Sequence, residues 1–149
     1  EKPLSLLSVD ITKKILMKYK VSILYLPVTL IRMIKATFNE KKFSSKYLKT
    51  LGSMGEPLSS SVARWFSKIF SKRKLQVVNT YFQTETGGII CSPRHNDAIR
   101  EVPFGTVGKP INKYLGVHLE KKNINKSEIK IKNLWPGALI GVINGESFF

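Results

Sequence analysis

Val77-Val78-Asn79-Thr80-Tyr81-Phe82-Gln83-Thr84-Glu85-Thr86-Gly87-Gly88 is the stretch from which the rest of the chain can be read. Two β-branched residues open it, as in a short buried strand. Hydroxyls, an amide and one carboxylate follow, and a Gly-Gly pair then turns the chain. The string reads as a strand that delivers polar groups to a sheet edge, where glycine lets the backbone come close to a ligand. In α/β sheets, ligands sit in the crevice beyond the carboxyl ends of the strands. Taken alone, the string also fits a polar strand-to-loop exit with an internally satisfied Glu.

Working outward, residues 75–81 are the third of three strand-like runs. The second is Thr50-Leu51-Gly52-Ser53-Met54, which leaves through Gly55-Glu56-Pro57. The first covers residues 21–26 and closes at Pro27, a residue that can open a helix because its missing N–H costs nothing there. The helix after Pro27 turns Leu30, Ile31, Ile34 and Phe38 inward and Arg32 and Lys35 outward, and ends near Asn39. The next is capped by Ser59, Ser60 or Ser61 and buries Val62, Trp65, Phe66, Ile69 and Phe70. Lys72-Arg73-Lys74 suits its negative end. An earlier amphipathic helix runs from Val9, with Ile11, Ile15, Leu16 and Tyr19 as its apolar positions. Strand–helix–strand–helix–strand predicts a parallel sheet with right-handed crossovers. The exits Gly55-Glu56-Pro57 and Gln83-Thr84-Glu85 then share one edge.

Beyond Gly88, Ile89-Ile90-Cys91 is a short apolar run, and from Val102 the chain is rich in Gly and β-branched residues. Candidate strands cover 115–119, 128–131 and 138–143, with Asn123-Ile124-Asn125-Lys126 as a turn. The expected class is α/β: a parallel βαβαβ sheet with flanking helices over residues 1–101, then a small antiparallel sheet or partial barrel over 102–149.

The 149 residues suit one domain with a core of its own. A net charge of +15 from 25 Lys+Arg invites a nucleic-acid or anionic-surface reading. The lysines are scattered, in small clusters such as Lys121-Lys122, and no aromatics interleave with them as stacking platforms. No nucleic-acid partner is expected. Cys91 is the single cysteine, so no internal disulfide forms and a reducing, cytoplasmic compartment fits. Cys91 and His95 alone do not make a zinc site. No apolar run reaches the length of a membrane span, and no signal peptide is visible.

The opening stretch resembles the Tyr-x-Gln-Thr-Glu-Thr-Gly signature of the adenylate-forming enzymes, the AMP-forming acyl-CoA synthetases and their relatives. Leu48-Lys49-Thr50-Leu51-Gly52-Ser53-Met54-Gly55-Glu56-Pro57-Leu58 and the doubled Gly87-Gly88 resemble the acetyl-CoA synthetase branch in particular. Weaker echoes lie at Pro103-Phe104-Gly105-Thr106-Val107-Gly108-Lys109-Pro110 and Leu134-Trp135-Pro136-Gly137. The resemblance runs from about Val21 to the C-terminus and implies an enzyme several times longer. The chain, which begins at Glu1 and stops at Phe148-Phe149 in mid-pattern, is therefore expected to be an internal piece of the large N-terminal domain.

The resemblance implies activation of a short carboxylic acid with ATP to an acyl-adenylate, with Mg²⁺, and transfer of the acyl group to CoA. Thr84 and Glu85 match the catalytic threonine and glutamate, one on a phosphate oxygen and the other on Mg²⁺. Gly55, Glu56, Pro57, Asn79, Thr80, Tyr81, Gln83 and Thr84 match nucleotide-binding positions. Asn79 stands where an Asp is common near the adenine amino group, and its carbonyl can accept the same bond. Met54 and Phe82 match acyl-pocket positions. They favour acetate or propionate, although both also read as ordinary core side chains. Gly145 falls where the family has a ribose-binding Asp, unless the register slips to Glu146. The family's phosphate loop, hinge and catalytic lysine have no match, so the piece alone is not expected to turn over. Two alternatives share these residues: a relative that loads a carrier-protein thiol, and a non-catalytic descendant that uses the fold for binding.

Overall fold

The computed structural model describes residues 9–37, 45–70, 75–94, 102–133 and 135–141. Three strands build the sheet that matters most: β1 (Ile23–Pro27), β2 (Thr50–Met54) and β3 (Val77–Asn79), in the order β1-β2-β3. Both pairings are parallel, with Leu24 opposite Leu51 and Leu51 opposite Val77. Helix α1 (Val9–Lys18) precedes β1, α2 (Val28–Thr37) joins β1 to β2, and α3 (Ser60–Phe70) joins β2 to β3. This is the parallel βαβαβ unit that the strand and helix spacing predicts, with β2 ending at both its predicted residues.

The core follows from the periodicity of the helices. Ile31 and Ile34 of α2 and Val62, Phe66, Ile69 and Phe70 of α3 are buried with Leu24, Leu51 and Val77 of the sheet. Phe66 and Phe70 meet edge-on, with ring centroids 5.2 Å apart, a geometry favoured by the ring quadrupoles. Ser59 starts α3: its carbonyl accepts from Ala63 N–H at 3.0 Å and its hydroxyl from Val62 N–H at 3.4 Å. Among the described side chains of α1 only Leu16 is buried; Ile15 is 44% exposed, and Tyr19, just past the helix, is 66% exposed. The predicted positions Phe38, Asn39 and Lys72-Arg73-Lys74 lie outside the described residues.

The rest is antiparallel. β4 (Cys91–Ser92) pairs with β5 (Lys109–Pro110), and β6 (Val117–Asn123) with β7 (Lys126–Ile131). The β6–β7 turn falls where Asn123-Ile124-Asn125-Lys126 predicts it, with the Asn123 side chain accepting from Asn125 N–H at 3.1 Å. A second small core of Ile90, Cys91 and Leu115 joins residues on both sides of position 101. Burial pushes the Cys91 thiol up from its ordinary range.

The first strand is Ile23–Pro27 instead of 21–26, and the third is Val77–Asn79 instead of 75–81, because Tyr81 bridges to Cys91 and not to β2. Two expected strands of the β-rich part differ as well. The run at 115–119 begins as a strand only at Val117, because Lys113–Leu115 is a tight 3-10 turn closed by Gly116 in the left-handed region. Residues 138–141 form no strand; Leu139 N–H is spent instead on the Glu85 carbonyl at 3.0 Å. Residues 142 and 143 lie outside the described part. Among the described residues no helix is long and apolar enough to cross a membrane.

Gly52 is where sheet geometry reaches the upper edge. It sits opposite Tyr25 of β1 and Val78 of β3. A Cβ at Gly52 would fall on the Tyr25 ring, so the bare backbone lets Tyr25 cross β2 and hydrogen-bond Thr80 beyond β3. Gly52→Ala should therefore cost about 1–3 kcal/mol through overpacking, read in a urea melt. The penalty should shrink in a Tyr25→Ala background, and an equal penalty in both backgrounds would rule out this crossing as its cause.

Candidate active site at the carboxyl edge of the sheet

The carboxyl ends of β2 and β3 are stitched together before either strand releases its loop. Thr80 N–H donates to the Ser53 carbonyl at 2.9 Å, and the Thr80 hydroxyl lies 3.2 Å from the same oxygen. The Ser53 hydroxyl donates to Asn79 Oδ1 at 3.0 Å, and Asn79 Nδ2 donates to the Gly105 carbonyl at 3.1 Å. Ser53, Asn79 and Thr80 are all buried. Polar groups survive there because each has a partner. Asn79 and Thr80 thus lie beneath the edge, and the Asn79 amide is engaged at both ends inside the protein.

Above this layer the chain comes into solvent. Tyr81 is half-buried, its N–H on the Cys91 carbonyl at 2.9 Å and its carbonyl accepting from Ile90 N–H at 2.9 Å. Phe82 is 39% exposed, and Gln83, Thr84 and Glu85 are exposed as well. Thr84–Thr86 form a single 3-10 turn. On the neighbouring exit, Met54 is half-buried and Gly55, Glu56 and Pro57 are exposed. The two predicted exits therefore do lie at one edge of one sheet, on adjacent strands.

Thr86 makes the turn. It is 6% exposed, and its hydroxyl accepts from Gln83 N–H at 2.9 Å. The same hydroxyl is within donating reach of the Gln83 and Gly88 carbonyls, at 2.8 and 2.9 Å. The Trp135 indole N–H donates to the Thr86 carbonyl at 2.7 Å. The two glycines that follow admit this contact. Gly87 has φ +61°, and a Cβ there would overlap the Gly137 carbonyl; at Gly88 a Cβ would come within 2.7 Å of the Trp135 ring. Sequence reasoning saw Gly87-Gly88 and Trp135-Pro136-Gly137 as separate motifs. Their docking, and the part played by Thr86, needed the fold.

The result is a turn whose backbone is fixed and whose Thr84 and Glu85 side chains are left exposed. The Glu85 carbonyl is held by Leu139 N–H while its carboxylate faces solvent. A cleft of about 420 Å³ lies beside it, walled by Gln83, Glu85, Thr86, Lys132, Asn133 and Trp135. No group of three or more His, Cys, Asp or Glu side chains gathers among the described residues. An exposed carboxylate on a rigid backbone fits Mg²⁺, which is usually held by one or two carboxylates together with substrate phosphates and water. Gly145 and Glu146, the predicted ribose positions, lie outside the described residues.

On the neighbouring exit, Glu56 is held by α2: Thr29 donates to its carboxylate, and Arg32 Nη1 binds the same carboxylate at 3.1 Å. Periodicity turned Arg32 outward, as observed, but no sequence signal pairs it with Glu56.

The charge of the hairpin is partly cancelled within it. Lys122 bridges Glu120 and Glu128 at 2.8 and 2.9 Å, and Lys130 reaches Glu120 at 2.7 Å. Lys122 and then Lys130 hold the Glu120 carboxyl below its ordinary value, and Glu120 and then Glu128 hold Lys122 above its own.

These features coincide with a family. The model of the AMP-binding enzyme family matches residues 2–129, and the chain belongs to that family. It is 33% identical over 141 residues to an acetyl-coenzyme A synthetase of Shewanella pealeana, covering 89% of this chain and 21% of that protein. To an acetyl-coenzyme A synthetase of Shewanella baltica it is 33% identical over 131 residues, covering 82% of this chain and 20% of the relative. The Shewanella halifaxensis enzyme of the same name is 31% identical over 141 residues, covering 89% and 21%. The chain thus spans about a fifth of the length of these relatives.

Thr86→Val keeps the shape and deletes the hydroxyl, leaving the part-buried Gln83 N–H without its acceptor. The expected cost is about 1–3 kcal/mol, visible as a lowered melting temperature, with Thr86→Ser recovering most of it. A Thr86→Val protein that melts with the unmutated one would remove Thr86 from this role.

Proposed function

We propose that this chain is the nucleotide- and acid-binding part of an AMP-forming acid–CoA ligase acting on a short carboxylic acid such as acetate. The observation that carries the reading is the pair of exits, Gly55-Glu56-Pro57 and Gln83-Thr84-Glu85, at one edge of a parallel sheet in a chain of the AMP-binding enzyme family. The names of its relatives supply the substrate class. On this reading residues 1–101 form the adenylate-binding subdomain and 102–149 a β-rich one. A cytoplasmic setting accords with the single buried Cys91.

In the first half-reaction a carboxylate oxygen of the acid attacks the α-phosphorus of ATP. The bond to the bridging oxygen breaks, and pyrophosphate leaves. In the second, the CoA sulfur attacks the acyl carbonyl and AMP leaves. The protein contributes alignment and charge compensation. Gly55-Glu56-Pro57 and Tyr81 border the adenine, with Asn79 and Thr80 fixing the floor beneath them. Gln83 lies beside the nucleotide. The Thr84 hydroxyl donates to a phosphate oxygen, and Glu85 holds Mg²⁺, which neutralises phosphate charge when bound. Met54 and Phe82 close the acid's pocket.

Glu85→Gln in the full-length protein should lower acid-dependent ATP–pyrophosphate exchange by about 10²-fold or more. Because this side chain is exposed, the melting temperature should hold. Exchange near the unmutated rate would sink the assignment of Glu85 to the metal.

The acid pocket has its own test. Phe82 is 39% exposed here, so its removal takes away a wall more than a piece of core. Phe82→Gly should move preference from acetate toward longer acids, since a two-carbon acid would sit loosely and lose alignment. One methylene is worth about 1–3 kcal/mol in a pocket, and relative kcat/KM for two- to eight-carbon acids resolves that. Unchanged preference in a variant that still melts normally would exclude the pocket role.

A further inference from the structure

The loop at Gly55-Glu56-Pro57 has little of its own to hold its shape. The ladder between β1 and β2 ends at Pro27 and Met54. Gly55 then takes φ +85°, and a Cβ placed on it would meet nothing within 4 Å. Glu56 and Pro57 are exposed. Packing therefore does not set where this loop points.

What reaches it comes from α2. Thr29 in the first turn donates its hydroxyl to Glu56 Oε1. Arg32, three residues on and hence on the same helix face, binds Glu56 Oε2 through Nη1 at 3.1 Å. Its other terminal nitrogen, Nη2, donates to the Pro57 carbonyl at 3.1 Å. Both carboxylate oxygens of Glu56 are held, and one planar guanidinium spans the side chain of one loop residue and the backbone of the next.

We infer that Arg32 is a positioning residue for the nucleotide: it fixes the Gly55-Glu56-Pro57 loop against the base and cancels the Glu56 charge beside the polyphosphate. This rests on the adenylate-forming reading of the site. Two features separate the arrangement from an ordinary surface ion pair. The side chains of Arg32 and Glu56 are 51% and 41% exposed, so the pair adds little to stability, and its effect is on orientation. The bond to the Pro57 carbonyl also fixes backbone, which a charge pair alone does not. Lysine could supply the charge but not the two-pronged geometry. The charge matters for a second reason. Without Arg32, an exposed carboxylate would stand uncompensated beside an anionic nucleotide, and the loop would repel the ligand it borders.

The test uses the full-length protein and acid-dependent ATP–pyrophosphate exchange, with ATP, GTP and acid varied in turn. Arg32→Ala should raise the KM for ATP about tenfold, the loss expected for charge-assisted hydrogen bonds that position a ligand. The kcat at saturating ATP, the KM for the acid and the melting temperature should stay within about twofold or a degree or two of the unmutated protein. The preference for ATP over GTP should fall, because the loop borders the base. Arg32→Lys should be intermediate, and the effect of Arg32→Ala should shrink in a Glu56→Ala background. An unmoved KM for ATP, or an equal loss for ATP, GTP and acid, overturns the inference. If Arg32→Ala does not fold, Arg32→Lys is read by the same criteria. The unmutated protein is its own control. No exchange there sinks the ligase reading and this inference with it, whereas exchange with an unmoved Arg32→Ala sinks the inference alone.

Discussion

The hydrogen bond from the Trp135 indole to the Thr86 carbonyl, with Gly137 backbone lying against Gly87, sets the terms for everything at the sheet edge. A bulky ring and a peptide plane can approach the turn this closely only if the facing residues carry no side chain. Gly87 and Gly88 meet that condition, and Gly87 also supplies the positive φ that closes the turn. The consequence is local rigidity without burial: the Thr84–Thr86 backbone is bonded on several sides while the Thr84 and Glu85 side chains remain in solvent. Groups that must meet a phosphate or a metal profit from that arrangement, because the backbone that carries them is settled before a ligand arrives.

Beneath the turn lies a different solution to a different demand. Ser53, Asn79, Thr80 and Tyr25 form a polar layer at the ends of three parallel strands. An unpaired amide in such a place would be costly. Here Asn79 spans from β2 to the Gly105 loop and Thr80 ties β3 back to β2, so the layer locks the strand ends in register. The glycine at position 52 belongs to the same design, since it opens the path by which Tyr25 reaches Thr80 across an intervening strand.

Much of this fold is legible in the sequence because its signals are local. Helical spacing of Ile31 and Ile34, or of Val62, Phe66 and Phe70, identifies the faces that meet, and β-branched runs with Gly or Pro exits identify the strands. Their alternation forces a parallel sheet, and that in turn brings the Gly55-Glu56-Pro57 and Gln83-Thr84-Glu85 exits together. What escapes is what depends on pairs distant in the chain. Leu139 reads as part of a strand because its neighbours are apolar and β-branched, yet its N–H serves the Glu85 carbonyl. Arg32 reads as a solvated helix position and Thr86 as one more motif hydroxyl. Nothing local says that the first grips Glu56 or that the second hydrogen-bonds Gln83, Gly88 and Trp135.

The stretch that opens the chain's logic also shows how fold and chemistry are divided within one segment. Val77 and Asn79 are buried, Thr80 is buried and spent on neighbours, Tyr81 is half-buried in a bridge to Cys91, and Phe82 to Glu85 are exposed. Burial falls off in the order in which the residues leave the sheet. Polar residues in the first part are thus bound to the protein, and polar residues in the second are left in solvent, although both parts read alike as hydroxyls and amides. The boundary is fixed by where the ladder stops: the last residue pair of β3 with β2 is Asn79 opposite Ser53, closed by Thr80 N–H on the Ser53 carbonyl. Beyond that point the chain pairs through Tyr81 with Cys91 instead of with β2, so the short third strand leaves the Glu85 carboxylate at the edge and not in the sheet.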